Sequence, residues 1–171
     1  MEARPYPGDG EQIRDAKPTD CQNLAIRQLL EYWLAQRGSR RFPARADLDP
    51  LQMRYALGNI VLFERLPEPA AAEPRYRFRL VGSDIATRAG YDATSKVLND
   101  LPPSDYRRLI LARLTALTAD PAPLLIRNAD CYDDRWYDYE ALWLPLAKTW
   151  TCLWPGRFFP RNHPHVICDA R

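Results

Sequence analysis

The stretch RYRFRLVGSDIATRAGYD, residues 75–92, decides how this chain is read. Its first half alternates strictly, with Arg75, Arg77 and Arg79 interleaved with Tyr76, Phe78 and Leu80. Successive side chains of a strand point to opposite faces. The stretch therefore predicts a strand whose arginines face solvent or a partner, while Tyr76, Phe78 and Leu80 face inward. Gly82 then breaks the pattern, residues 83–88 adopt a helical rhythm, and Gly90-Tyr91-Asp92 ends it in a turn.

Upstream, NIVLFE (59–64) reads as a second strand, joined to the first by a Pro/Ala loop at 67–74. Further back, Ile26, Leu29, Leu30, Trp33 and Leu34 form one apolar stripe, which predicts an amphipathic helix. TDCQ (19–22) matches a capping box at its start, and Gly38 is its natural stop. SRRFPARADLDP (39–50) is a basic loop, after which Asp49-Pro50 opens a short helix ending near Gly58. Residues 1–18 are polar and rich in Pro and Gly, and are expected to be disordered.

Downstream, Ser104 caps a helix to about residue 119, with Tyr106, Leu109, Ile110, Leu114 and Leu117 on one face. A strand at 124–128, a turn at 131–135 and a long strand at 136–146 follow. A long central helix between two hairpin-like strand pairs predicts an α+β domain. Its antiparallel sheet carries helices on one face and is preceded by the N-terminal amphipathic helix. The expected division is a disordered segment at 1–18, one domain at 19–147 and an atypical tail at 148–171.

From LLEYWLAQRGSRRFPARADLDPLQM through LGNIVLFE and YRFRLVGSDIATRAGYD to YDYEALWLPLA, the chain resembles a PAS domain, specifically the single-domain PAS family of alphaproteobacteria. The resemblance spans roughly residues 24–146. It implies a sensory and interaction module in which a five-stranded antiparallel sheet curls over short helices. The gap between them can hold a small ligand, and the last strand lies in the middle of the sheet.

Phe78, Leu80, Ile85, Leu109, Ile110 and Trp143 are the pocket candidates, chosen by inward phase and by placement under that resemblance. The partner-surface candidates are Ile26, Leu30 and Trp33 on the helix, with Arg75, Arg77 and Arg79 on the strand. Output would pass through an unidentified signalling protein or through a homodimer built on that helix. The rival reading is a basic regulatory protein contacting nucleic acid through Arg37, Arg40, Arg41, Arg45 and the 75–79 arginines. A net charge of +2 does not by itself imply nucleic acid or membrane.

Chemistry in the core is sparse. The only histidines, His163 and His165, are in the tail, which argues against a histidine-ligated haem in the core. Cys131 sits in a polar turn, a poor place for a covalent flavin adduct. Asp133, Asp134, Asp138 and Glu140 are read as turn and solvated carboxylates rather than acid–base pairs. Cys152, His163, His165 and Cys168 fit no usual structural zinc spacing, so no metal is expected. The ligand itself is not identified. No run approaches the ~20 apolar residues of a membrane span, the N-terminus has no signal-peptide core, and the four cysteines are scattered, so a cytoplasmic location is expected.

After Leu146 the resemblance stops, and KTWTCLWPGRFFPRNHPHVICDAR follows where an apolar fifth strand is expected. Reading the codons of residues 148–155 two bases later changes this. Trp150-Thr151 then forces Asp, Thr151-Cys152 gives Leu, Met or Val, and Trp154-Pro155 forces Ala. The shifted frame can read Asp-Leu-Asp-Met-Leu-Val-Ala, which resembles the missing strand. A frameshift near residues 147–149 is therefore expected. In the present frame, Trp150, Leu153, Trp154, Phe158 and Phe159 are the residues available to substitute.

Overall fold

The computed structural model describes residues 14–67, 73–132, 135–147 and 157–160. Two antiparallel hairpins dominate. Strand β2 (Val61–Arg65) pairs with β3 (Tyr76–Val81), and β4 (Leu124–Tyr132) pairs with β5 (Arg135–Trp143). Between the hairpins lie helices α2 (Ser83–Ala89) and α3 (Asp105–Ala119). Helix α1 (Leu24–Arg37) precedes them. The α+β expectation holds, with element positions close to those read from periodicity.

The strands form two hydrogen-bonded sheets, one holding β2–β3 and the other β4–β5, and apolar residues cover both faces. Adjacent residues of one strand fall into different cores: Val61 and Phe63 pack with α3 residues, whereas Leu62 packs with α1 residues. Trp143 and Ile126 likewise face α3, while Leu142 and Leu125 face α1. Because strand side chains alternate, α1 and α3 lie on opposite sides. The runs IVLF (60–63) and LWLPL (142–146) carry apolar residues without alternation, as strands buried on both faces require.

Three local expectations are corrected, and one segment of the tail is placed. The α1 cap is Asn23, whose side-chain oxygen accepts from the N–H groups of Ala25 (2.9 Å) and Ile26 (3.3 Å); Thr19 bonds Asp20 instead. Residues 49–56 form successive tight turns, with N–H groups of Gln52, Met53 and Ala56 each bonded three residues back. This three-residue repeat keeps Met53 and Ala56 buried together. Arg14–Ala16 is not disordered: it forms strand β1 on the free edge of β4, with Ala16 opposite Leu125. Finally, part of the atypical tail, Arg157–Pro160, forms strand β6 against β5, with Phe158 opposite Tyr139 and Phe159 opposite Asp138. Trp150, Leu153, Trp154, His163, His165, Cys152 and Cys168 lie outside the described residues.

The corner joining β3 to α2 depends on glycine. A Cβ on Gly82 would lie 2.4 Å from the carbonyl oxygens of Leu57 and Gly58, so only glycine permits this approach. Gly82 also donates its N–H to the Ile60 carbonyl at 2.8 Å. Gly90, at φ 73°, ends α2 in the left-handed conformation expected of the Gly-Tyr corner.

Candidate functional site

The face of the sheet under α3 encloses an aromatic interior. Phe63, Tyr76, Phe78 and Trp143 are buried there with Ile110 and Leu114 of α3. The rings of Phe63 and Phe78 are 4.8 Å apart and tilted, and those of Phe63 and Trp143 are 6.1 Å apart and nearly parallel. Such aromatic contacts add about 0.5–1.5 kcal/mol each beyond their burial. A polar pair enters this interior: the Tyr76 and Thr118 hydroxyls lie 2.9 Å apart. Thr118 donates to the Leu114 carbonyl at 2.7 Å, so its oxygen is left to accept from Tyr76.

Phe78, Ile110 and Trp143, expected to line a pocket, are all in this interior. Ile85 is half-buried against its edge, and Leu109 is half-buried on α3. Leu80 is corrected: it is 40% exposed. The ladder runs Leu62–Leu80 and then Phe63–Phe78, so Arg79 is an extra residue. This bulge breaks the alternation and turns Leu80 outward. Phe63 and the Tyr76–Thr118 pair were absent from the expected pocket. Thr118 lies at i+4 from Leu114 and i+8 from Ile110, so the α3 stripe already contained it. A separate groove of about 460 Å³ lies at the start of α3, lined by Pro103, Ser104, Arg107, Arg108 and Leu111. None of the expected pocket residues lines it.

Ile26, Leu30 and Trp33 are not a surface. They are 1%, 6% and 0% exposed, because α1 spends its stripe on its own sheet. Trp33 donates its indole N–H to the Pro145 carbonyl at 3.1 Å. Glu140, read earlier as a solvated carboxylate, is 6% exposed and anchors α1. Its oxygens accept from the N–H groups of Gln22 (2.9 Å) and Asn23 (2.9 Å) and from Arg127 Nε (3.0 Å). Cys21, beside this anchor, is buried, and desolvation raises its thiol pKa. The side chains of Cys131, Asp133, Asp134 and Asp138 lie outside the described residues.

Two of the three strand arginines are paired within the chain. Arg75 reaches both carboxylate oxygens of Asp100 at 2.7 Å, and Arg77 Nε donates to Glu64 at 3.0 Å. Arg79 is exposed on the bulge. The loop arginines also have local partners: Arg40 pairs with Asp47 at 2.8 Å, and Arg45 donates to the Leu48 carbonyl at 3.3 Å. Arg41 lies 5.1 Å over the Phe42 ring. No helix among the described residues is long and apolar enough to cross a membrane.

This geometry defines a small α+β domain with an enclosed aromatic interior between its sheet and central helix. The family model described as PAS domain matches residues 21–151, most of the chain, and the chain belongs to the PAS domain family. At the level of that family it is a sensory and regulatory module. No curated protein and no solved structure matches it.

Proposed function

We propose that the chain is a non-catalytic sensory module that takes a small ligand between α3 and the sheet and passes its state to a protein partner. The observation carrying this reading is the aromatic interior with its inward polar pair, Tyr76–Thr118. Ligand sites combine apolar walls with a few placed polar groups, and this interior has that composition. The nucleic-acid reading loses support because Arg75 and Arg77 already spend their charge on Asp100 and Glu64.

Native mass spectrometry of freshly purified protein, set beside its denatured mass, tests the proposal. A mass excess lost on denaturation is the expected result, and Tyr76→Phe should weaken retention of the bound species. A folded protein with no excess overturns the ligand part and leaves a packed adaptor.

A further inference from the structure

Helix α1 buries Ile26, Leu29, Leu30 and Trp33, and its opposite face carries a second pattern. Leu24, Arg27, Glu31 and Leu34 are all exposed there. Their spacing of three, four and three residues is that of the a and d positions of a heptad, so they share one narrow seam along the helix. Gln28 and Ala35, also exposed, flank it. Six large apolar side chains are exposed among the described residues. Four of them lie here: Leu24 (65%) and Leu34 on the seam, and Leu51 (79%) and Tyr55 on the turns beside it. Those turns are tied to α1 by the Asp49 N–H, which donates to the Tyr32 hydroxyl at 2.7 Å. Exposed apolar side chains gathered on one face mark an interaction surface.

The charges on the seam say what fits it. The seam reads Leu-Arg-Glu-Leu, and its reversal reads Leu-Glu-Arg-Leu. Laid antiparallel on a second copy, Leu24 faces Leu34 and Arg27 faces Glu31. Both pairs centre on residue 29, so one register satisfies them together. A two-fold axis then repeats each contact. A parallel pair would set Arg27 against Arg27 and Glu31 against Glu31, and like charges in contact oppose association. Arg27 gives one N–H to the Cys21 carbonyl at 3.0 Å, and its guanidinium has further donors for a carboxylate.

We infer that the outer face of α1 is a dimer surface whose occupant is a second copy of this chain, joined antiparallel through Leu24, Arg27, Glu31 and Leu34. Leucine layers close the two ends, and the Arg–Glu layers between them fix direction and register. Leu51 and Tyr55 add apolar area at the rim, toward the ~800 Å² per partner of a stable interface. The Tyr76–Thr118 interior lies on the α3 side, away from this face, so the pairing stands whether or not a ligand binds.

Sedimentation over a concentration series tests this with the parent chain, Arg27→Glu, Glu31→Arg and the double variant. The parent should dimerise. Each single variant sets like charges face to face and should raise the dimer Kd at least ~10-fold, and the double variant should return it to the parent's value. Mixing the two single variants should give a heterodimer in native mass spectrometry, a recovery that loss of folding would not allow. Leu24→Cys and Leu34→Cys chains, mixed and oxidised, should crosslink to each other rather than to their own kind, as peptide mapping reads. A monomeric parent, single variants that pair as tightly as the parent, no recovery in the double variant or the mixture, or crosslinks of Leu24→Cys chains to themselves overturn the inference.

Discussion

The two faces of the sheet are held by different chemistry. On the α1 side, apolar packing is tied down by directed bonds: Asn23 and Glu140 meet the free N–H groups around the helix start, and Trp33 donates to the Pro145 carbonyl. On the α3 side the contacts are rings and aliphatic chains, with the Tyr76–Thr118 pair directed inward. Directed bonds fix where an element sits. Apolar contact fixes how much volume is filled and tolerates exchange of one filler for another. The α1 side is therefore the framework, and the α3 side is the one the proposed function assigns to a ligand.

The comparison breaks most readily at its largest side chains. Trp33→Ala should cost about 3–5 kcal/mol, because it leaves a large cavity and strands the Pro145 carbonyl. Phe63→Ala, equally buried, should cost about 3 kcal/mol and remain nearer that lower figure, since it strands no polar group. Urea unfolding of both variants measures the difference. A Phe63→Ala variant that is the more damaged would reverse the assignment of framework and adaptable face.

A smaller effect isolates the anchor. Glu140→Ala leaves the Gln22 and Asn23 N–H groups without their acceptor and releases Arg127. A cost of about 2–3 kcal/mol is expected, limited by water reaching the half-buried Arg127. Glu140→Gln keeps one acceptor and should lose less. A Glu140→Ala variant as stable as the parent would mean that packing alone places α1.

Much of this was legible in the sequence, and the failures have physical causes. Period-two and period-3.6 patterns located the hairpins, α1 and α3 because each element buries one apolar stripe or face. The same patterns could not say which side of the sheet a helix covers, although IVLF and LWLPL already signalled burial on both. Glu140 was misread because its neighbours in sequence are not its partners: Gln22 and Asn23 arrive from the far end of the chain. Leu80 was misread because one extra residue, Arg79, shifts the phase without any change in residue type.

That bulge supplies the next prediction. Leu80→Ser should change stability by less than about 0.5 kcal/mol, as exposed positions do, whereas Phe78→Ala two residues earlier should cost about 3–5 kcal/mol. Comparable losses at both positions would mean that the alternation continues through Arg79 and that the α3 face extends to Leu80.

The smallest expected effect concerns the loop beyond α1 and depends on pH. The Ala44 N–H, at 2.7 Å, and the Arg40 guanidinium, at 2.8 Å, hold the Asp47 carboxyl below its ordinary pKa. The folded value is depressed, so the contribution to stability is present above the unfolded value, about 4. It is lost as pH falls through the folded value. Unfolding of the parent and of Asp47→Asn, compared at neutral and at acid pH, reads this directly. The parent's advantage should shrink toward acid. An advantage that does not change with pH would mean that the loop is held by the shape of the side chain rather than its charge.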